Sequence, residues 1–307
     1  MYSVREFYKD KTVFITGGSG FMGKVLIEKL LRSCSDLKQI LILMRPKRGK
    51  SGSERVEEFL KIPLFEKLVA ENPEVLKKLI PVFGDISIEN LGLSNDDLSL
   101  IIRETSVVFH FAASLNFEAP IKTAVQMNVR GLDYVMNISK QIKNLKVVVH
   151  LSTAFCNPDQ EEMREKVYDF NMKPRQLMNI LDNLSDDIVN TFEKKLISSH
   201  PNTYTYTKRI SELLVKEEHE NLPLCIVRPS IGEIRRKDLK RFFCEAKIVF
   251  VLVFPTIKEP IPGWVGMNNV YKKSFDHLLS FFFAQKRLVI RNHKKLIFHV
   301  SDIFSST

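Results

Sequence analysis

The feature that most constrains this chain is the run Thr16-Gly17-Gly18-Ser19-Gly20-Phe21-Met22-Gly23. An apolar stretch, Thr12-Val13-Phe14-Ile15, precedes it, and Lys24 to Leu31 follows with apolar residues at helical spacing. A strand, a glycine turn and a helix in that order build the phosphate-binding corner of a dinucleotide fold. Gly17 takes the tight turn, Gly20 lets a pyrophosphate approach the backbone, and Gly23 lets helix and strand pack closely, with the phosphates over the helix N-terminus. Thr16, Gly18, Ser19, Phe21 and Met22 complete the turn and are expected to line the same cofactor site. A glycine turn with no ligand is the alternative, and the position directly after a strand argues against it.

The rest of the chain continues the pattern. Gln39-Ile40-Leu41-Ile42-Leu43-Met44 is a continuous apolar run, as expected for a strand buried on both faces of a parallel sheet. Arg45 ends it, followed by Lys47 and Arg48, where an arginine accommodates the 2′-phosphate of NADP and an acidic residue selects NAD. This favours NADPH. A third strand from Leu79 is closed by Gly84-Asp85-Ile86, with Asp85 expected to reach the adenine. A fourth, Ser106 to Ala113, ends in Ala112 and Ala113, small residues that let the cofactor pass; His110 reads as a satisfied strand-end histidine. A helix is expected from about Pro120 to Ile142. Asn128 inside it is either a local backbone-bonding residue or a group near the cofactor.

The fifth strand, Val147 to Leu151, runs into Ser152-Thr153-Ala154-Phe155-Cys156-Asn157, and hydroxyls at a strand's carboxyl end face the ligand crevice of an open α/β sheet. Further on, Tyr204 and Lys208 lie one helical turn apart on one face, whereas Tyr206 has Ile210 in the corresponding position. A tyrosine with its ordinary pKa of about 10 needs a nearby cation to favour its ionised form. Lys208 supplies that cation and can hold the nicotinamide ribose, while Tyr204 donates a proton to a carbonyl receiving hydride. Thr153, or Ser152, would hold the same oxygen from the other side.

With these motifs in place the chain resembles the extended short-chain dehydrogenase/reductases, through T-G-x-x-G-x-x-G at Thr16 to Gly23 and Y-x-x-x-K at Tyr204 to Lys208. More narrowly it resembles eukaryotic fatty acyl-CoA reductases. Leu43 to Lys47, Gly84 to Ser87, Phe109 to Ala113, His150 to Asn157, Pro201 to Lys208 and Val227 to Ile231 carry that likeness. It implies an α/β, Rossmann-type doubly wound parallel sheet with a smaller substrate lobe, here incomplete. It also implies NADPH-dependent reduction of a long-chain acyl-CoA through an aldehyde to a fatty alcohol, with Pro229 among the cofactor contacts. Cys156 is not required as a nucleophile on that path. A membrane surface of the ER, peroxisome or lipid droplet, and a location on the cytoplasmic face, follow from the resemblance; the truncated chain itself reads as compatible with the cytosol. Two alternatives stay open: a sugar-nucleotide epimerase or dehydratase on the same scaffold, and a non-catalytic NADPH-binding truncated product.

The 44% apolar and 27% charged content belongs to a globular chain. The formal charge of +10 does not mark a nucleic-acid partner, because residues from Gly232 onward carry +8 of it and the body only +2. Cys34, Cys156, Cys225 and Cys244 have no C-x-x-C spacing, so neither a disulfide framework nor a metal site is expected. No early apolar core reads as a signal peptide, and no apolar run is long enough to span a bilayer.

The domain reading is residues 1–231 as the NADPH-binding reductase domain, 232–257 as an atypical insertion, and 258–307 as a remnant of the substrate lobe with a divergent tail. The insertion separates Ile231 from Lys258-Glu259-Pro260-Ile261-Pro262-Gly263-Trp264, where the family pattern resumes. Residues 232–307 hold 10 of the 22 phenylalanines. We read the insertion and the tail beyond about Val265 as retained intron or aberrant splicing, with the family's C-terminal helical, membrane-anchoring region expected to be missing. Transcripts sequenced across Ile231 to Lys258 are expected to lack the insertion in their majority; a majority retaining it makes a lineage-specific loop the correct reading.

Overall fold

The computed structural model describes residues 4–46, 52–160 and 163–229, together with the backbone of 250–253. Lys47, Arg48, Ser230, Ile231, the rest of the expected insertion, the Lys258 to Trp264 phrase and the tail lie outside the described residues. Six parallel strands form the sheet: β1 (Thr12–Thr16), β2 (Gln39–Met44), β3 (Leu79–Phe83), β4 (Thr105–His110), β5 (Val147–Leu151) and β6 (Leu224–Pro229). A seventh, β7 (Phe250–Val253), pairs antiparallel with β6, Ile226 opposite Val253 and Pro229 opposite Phe250. The order β3-β2-β1-β4-β5-β6-β7 reverses direction between β1 and β4, which opens a crevice at their carboxyl ends. The expected doubly wound sheet is therefore present, and four residues of the expected insertion are one of its strands.

The helices are α1 (Val4–Tyr8), α2 (Phe21–Ser33), α3 (Gly52–Leu60), α4 (Glu66–Glu71), α5 (Asn95–Glu104), α6 (Ile121–Val125), α7 (Gly131–Ser139), α8 (Pro174–Asn183), α9 (Asp186–Leu196) and α10 (Thr203–Glu218). Alternate residues of each strand enter opposite cores, because successive side chains point to opposite faces. Val13, Ile15, Ile40, Ile42, Val107 and Phe109 pack with Leu26, Ile27, Leu30 and Leu31 of α2. Phe14, Leu41, Val108, Val148 and Ile226 pack with residues of α6 to α8 and α10 on the other face. Each of these buried aliphatic side chains contributes about 1.5–3 kcal/mol over an exposed one.

Two expectations from the sequence are refined here. β3 ends at Phe83 and β4 at His110, so Asp85, Ala112 and Ala113 stand on the loops past the strand ends. The single helix expected from Pro120 to Ile142 is instead α6 and α7 joined by a π-helical turn, Gln126–Arg130. The turn widens where Asn128 leaves the helix pattern.

Helix α10 is the least ordinary element, with 12 of its 16 residues buried. Asn202 starts it in extended backbone, and its side-chain oxygen accepts from the Thr205 amide at 2.9 Å. Asn202→Ala removes this cap and is expected to cost about 1 kcal/mol of stability, within the 0.5–2 range of such caps. Urea unfolding midpoints check it, and an unchanged midpoint would show that the cap contributes nothing.

Candidate active site

The glycine turn sits at the crevice. Gly17 has φ of +72°, and a Cβ there would lie 2.5 Å from the Ala112 amide nitrogen, so this position requires glycine for both reasons. Gly23 is pressed against the turn itself: a Cβ would stand 2.4 Å from the Gly17 carbonyl oxygen. Gly18 is buried against Ile42, whereas Ser19, Gly20 and Phe21 are exposed and Met22 half-buried. Gly20 is the N-cap of α2 and supplies no side-chain cap, and the first turn carries no acidic residue. Uncapped helix amides facing a crevice, with no competing carboxylate, fit a dinucleotide pyrophosphate. Thr16 is buried; its hydroxyl accepts from the Ala112 amide at 3.3 Å and lies 2.8 Å from His110 Nδ1, tying the turn to the loop after β4.

On the next strands Arg45 and Asp85 meet in a 3.0 Å ion pair. The other Asp85 oxygen accepts from the Ser87 amide at 2.9 Å and its hydroxyl at 2.8 Å. Asp85 is thus held between Arg45 and Ser87, and it fixes an Arg45 side chain that remains 60% exposed. Arg45 also reaches the Met127 sulfur at 3.6 Å. Ile86 is buried, and its carbonyl packs against Gly131. A groove lined by Ser87, Lys122, Gln126, Met127, Arg130 and Asp182 continues from this end.

Asn128 is buried on the π-helical turn. It accepts from the Ser114 amide at 2.7 Å and donates to the Ser114 carbonyl and, at 2.9 Å, to the Thr207 hydroxyl. Of the two readings open in the sequence, bonding to its own helix does not describe the side chain: it clamps the loop after Ala112 and Ala113 to α10, the placement a group near the cofactor would have.

At the β5 end the two hydroxyls part company. The Thr153 hydroxyl stands beside Tyr204, whose pKa it lowers, and accepts from the Phe155 amide at 3.3 Å. Ser152, 2% exposed, points the other way and donates to Glu212 Oε1 at 2.6 Å. Thr153 is thus the group presented beside Tyr204, and the alternative of Ser152 in that role is corrected. The Ala154 amide donates to the Pro229 carbonyl at 3.0 Å, which places Pro229 behind this loop. Tyr206 is buried edge-on to His200 and Phe170, a core residue.

Lys208 is buried and its Nζ donates to the Leu151 carbonyl at 2.7 Å. Burial lowers its pKa to about 8, opposed by Cys156 and Glu212. Burial pushes Tyr204 up to about 12, with Cys156 adding to the rise and the Thr153 hydroxyl opposing it. The sequence expectation that Lys208 lowers the tyrosine is therefore not met in this geometry: burial dominates, and the ammonium is turned toward a strand-end carbonyl. His110 and His150 stack at 5.5 Å beneath it. Burial and Lys208 hold both neutral, His110 down at about 3. The Cys156 thiol is driven far above its ordinary value by burial and Glu212, so it is no nucleophile.

Sequence reasoning passed over Glu212 and Arg228 as site residues. Both are buried, at 1% and 0% side-chain exposure, and pair at 2.5 Å. The signal was present, since Glu212 lies one further turn along the Tyr204–Lys208 face. What it met there was not readable.

This fold and crevice define a nicotinamide-dinucleotide-binding domain. The Male sterility protein family model, an NAD-binding domain, matches residues 15–278, and the chain belongs to that family. It is 38% identical to fatty acyl-CoA reductase 1 of Mus musculus over 88% of this chain and 48% of that protein. To fatty acyl-CoA reductase wat of Drosophila melanogaster it is 36% identical, over 87% and 47%. The chain therefore spans about half the length of these relatives. The terminal reductase domain from the myxalamid biosynthetic pathway shares the fold, with a TM-score of 0.54 and 24% identity over 72% of this chain and 49% of that one.

The buried ammonium has a thermodynamic signature. Below about pH 8 Lys208 is charged in both folded and unfolded chains, and burying it costs up to about 3 kcal/mol. From about pH 8 to the ordinary value of 10.5 the unfolded chain binds more protons, so the cost fades as pH rises. The stability of Lys208→Met relative to wild type is expected to be greatest below pH 8 and to decline toward pH 10; a pH-independent difference in urea unfolding would refute the assignment.

Proposed function

We propose that this chain carries the NADPH-binding and hydride-accepting site of an acyl-thioester reductase of the fatty acyl-CoA type. The observation that carries it is the Thr153–Tyr204 hydroxyl pair at the crevice, flanked by exposed apolar side chains. Leu115 is 68% exposed, Phe117 55% and Phe155 47%, and the Phe117 ring lies 5.5 Å from that of Tyr204. An apolar rim around a proton donor suits an acyl chain and disfavours a sugar nucleotide.

NADPH, when bound, supplies hydride to the thioester carbonyl. The Tyr204 and Thr153 hydroxyls hold the carbonyl oxygen as charge develops on it. Loss of the CoA thiolate leaves an aldehyde, whose reduction takes a second hydride and a proton from Tyr204. A tyrosine held at about 12 is fully protonated at neutral pH, as a donor must be. Lys208, charged below about pH 8, lies one turn away to hold the nicotinamide ribose. The glycine turn takes the pyrophosphate. Arg45, fixed by Asp85 and exposed, would hold the 2′-phosphate of a bound cofactor, which favours the reading of NADPH over NADH.

Cofactor fluorescence is expected to show NADPH bound more tightly than NADH. Tyr204→Phe should hold NADPH within about threefold of wild type yet lose at least about 100-fold in palmitoyl-CoA-dependent NADPH consumption. A variant retaining half the wild-type rate would sink the assignment of Tyr204.

A further inference from the structure

Glu212 has no part in the chemistry above, yet three donors from two segments, the loop after β5 and β6, converge on it. Ser152 Oγ lies 2.6 Å from its Oε1, Cys156 Sγ 3.2 Å, and Arg228 Nε 2.7 Å, while Arg228 Nη2 meets Oε2 at 2.5 Å. Ser152 and Cys156 bracket Thr153 in the sequence. The far end of the loop is held as well: Asn157 Nδ2 contacts Cys156 Sγ at 3.1 Å and His200 Nε2 the Cys156 carbonyl at 3.2 Å. One carboxylate thus grips the loop on both sides of the hydroxyl that meets Tyr204. On its own helix, Glu212 follows Tyr204 and Lys208 at successive turns of one face.

We propose that Glu212 is a positioning residue of the reacting site: it fixes Thr153 against Tyr204 by anchoring Ser152 and Cys156. The inference rests on the reading of Thr153, Tyr204 and Lys208 as the reacting groups. Glu212 itself faces Arg228, Ser152 and Cys156, and Arg228 in turn donates to the Arg164 and Lys166 carbonyls at 3.0 and 2.9 Å. The anchor is thereby joined to the 164–166 segment.

The test separates the grip from a merely structural role. Glu212→Asp keeps the ion pair's charges while withdrawing the oxygens from the loop, and Ser152→Ala removes one anchored group and leaves the carboxylate. With folding checked by circular dichroism and NADPH binding by fluorescence, NADPH consumption with palmitoyl-CoA is measured. Both variants are expected to lower kcat about tenfold or more, with KM and NADPH binding within about threefold of wild type. A folded Glu212→Asp variant with kcat within about twofold of wild type overturns the proposal. If Glu212→Asp does not fold, Ser152→Ala decides: a drop in kcat at unchanged NADPH binding supports the grip, and wild-type kcat refutes it. Failure of the functional reading is distinct, since wild type would then bind NADPH and turn over no acyl-CoA, and crystal structures of the variants would still decide the role of Glu212: a Thr153 unmoved against Tyr204 refutes it.

Discussion

The Glu212–Arg228 pair is the interaction on which the rest of this site depends. Two opposite charges with almost no exposure are tolerable only when every remaining hydrogen-bonding position is filled. Here Ser152, Cys156 and the Arg164 and Lys166 carbonyls fill them. Removing one partner alone from such a pair costs about 3–5 kcal/mol, because the other is left buried and uncompensated. The pair therefore locks α10, β6, the loop after β5 and the 164–166 segment into one arrangement, and the Thr153–Tyr204 contact is a by-product of that lock.

The same logic extends along α10. A helix buried over most of its length satisfies most of its polar side chains internally, and successive turns reach different neighbours. Thr203 donates to the Ala119 carbonyl at 2.9 Å, and Ser211 to the Asn128 carbonyl, also at 2.9 Å. Arg209 forks onto Asp159 at 2.7 and 3.2 Å and lies over the Phe170 ring. The loops at the crevice are positioned by groups that take no part in the proposed chemistry. Asn128 is the clearest case: it clamps Ser114 and Thr207 from a π-helical turn that shifts its place on the helix.

Much of this was legible in the residues. The strands were readable because a strand buried on both faces is predominantly apolar, as Ile40 to Met44 and Val147 to Val149 are. The glycine turn was readable because Gly17 and Gly23 leave no room for a Cβ, a requirement that only one residue type meets. The pairing of Tyr204 with Lys208 followed from helical spacing. The direction of the Tyr204 shift did not, because burial is a property of the packed molecule, and it outweighs a cation turned toward the Leu151 carbonyl.

By itself the sequence determined a doubly wound sheet, a dinucleotide turn at its centre and the face on which Tyr204 and Lys208 lie, since these depend on periodicity and on the steric limits of single residues. Only the tertiary structure decided which of two adjacent hydroxyls faces the crevice, that Asp85 serves Arg45, and that Glu212 joins Tyr204 and Lys208 on their helix face to meet Arg228. Those choices are made by contacts between residues far apart in the chain, where a side chain's partner is set by the packing of whole elements and leaves no local mark in the sequence.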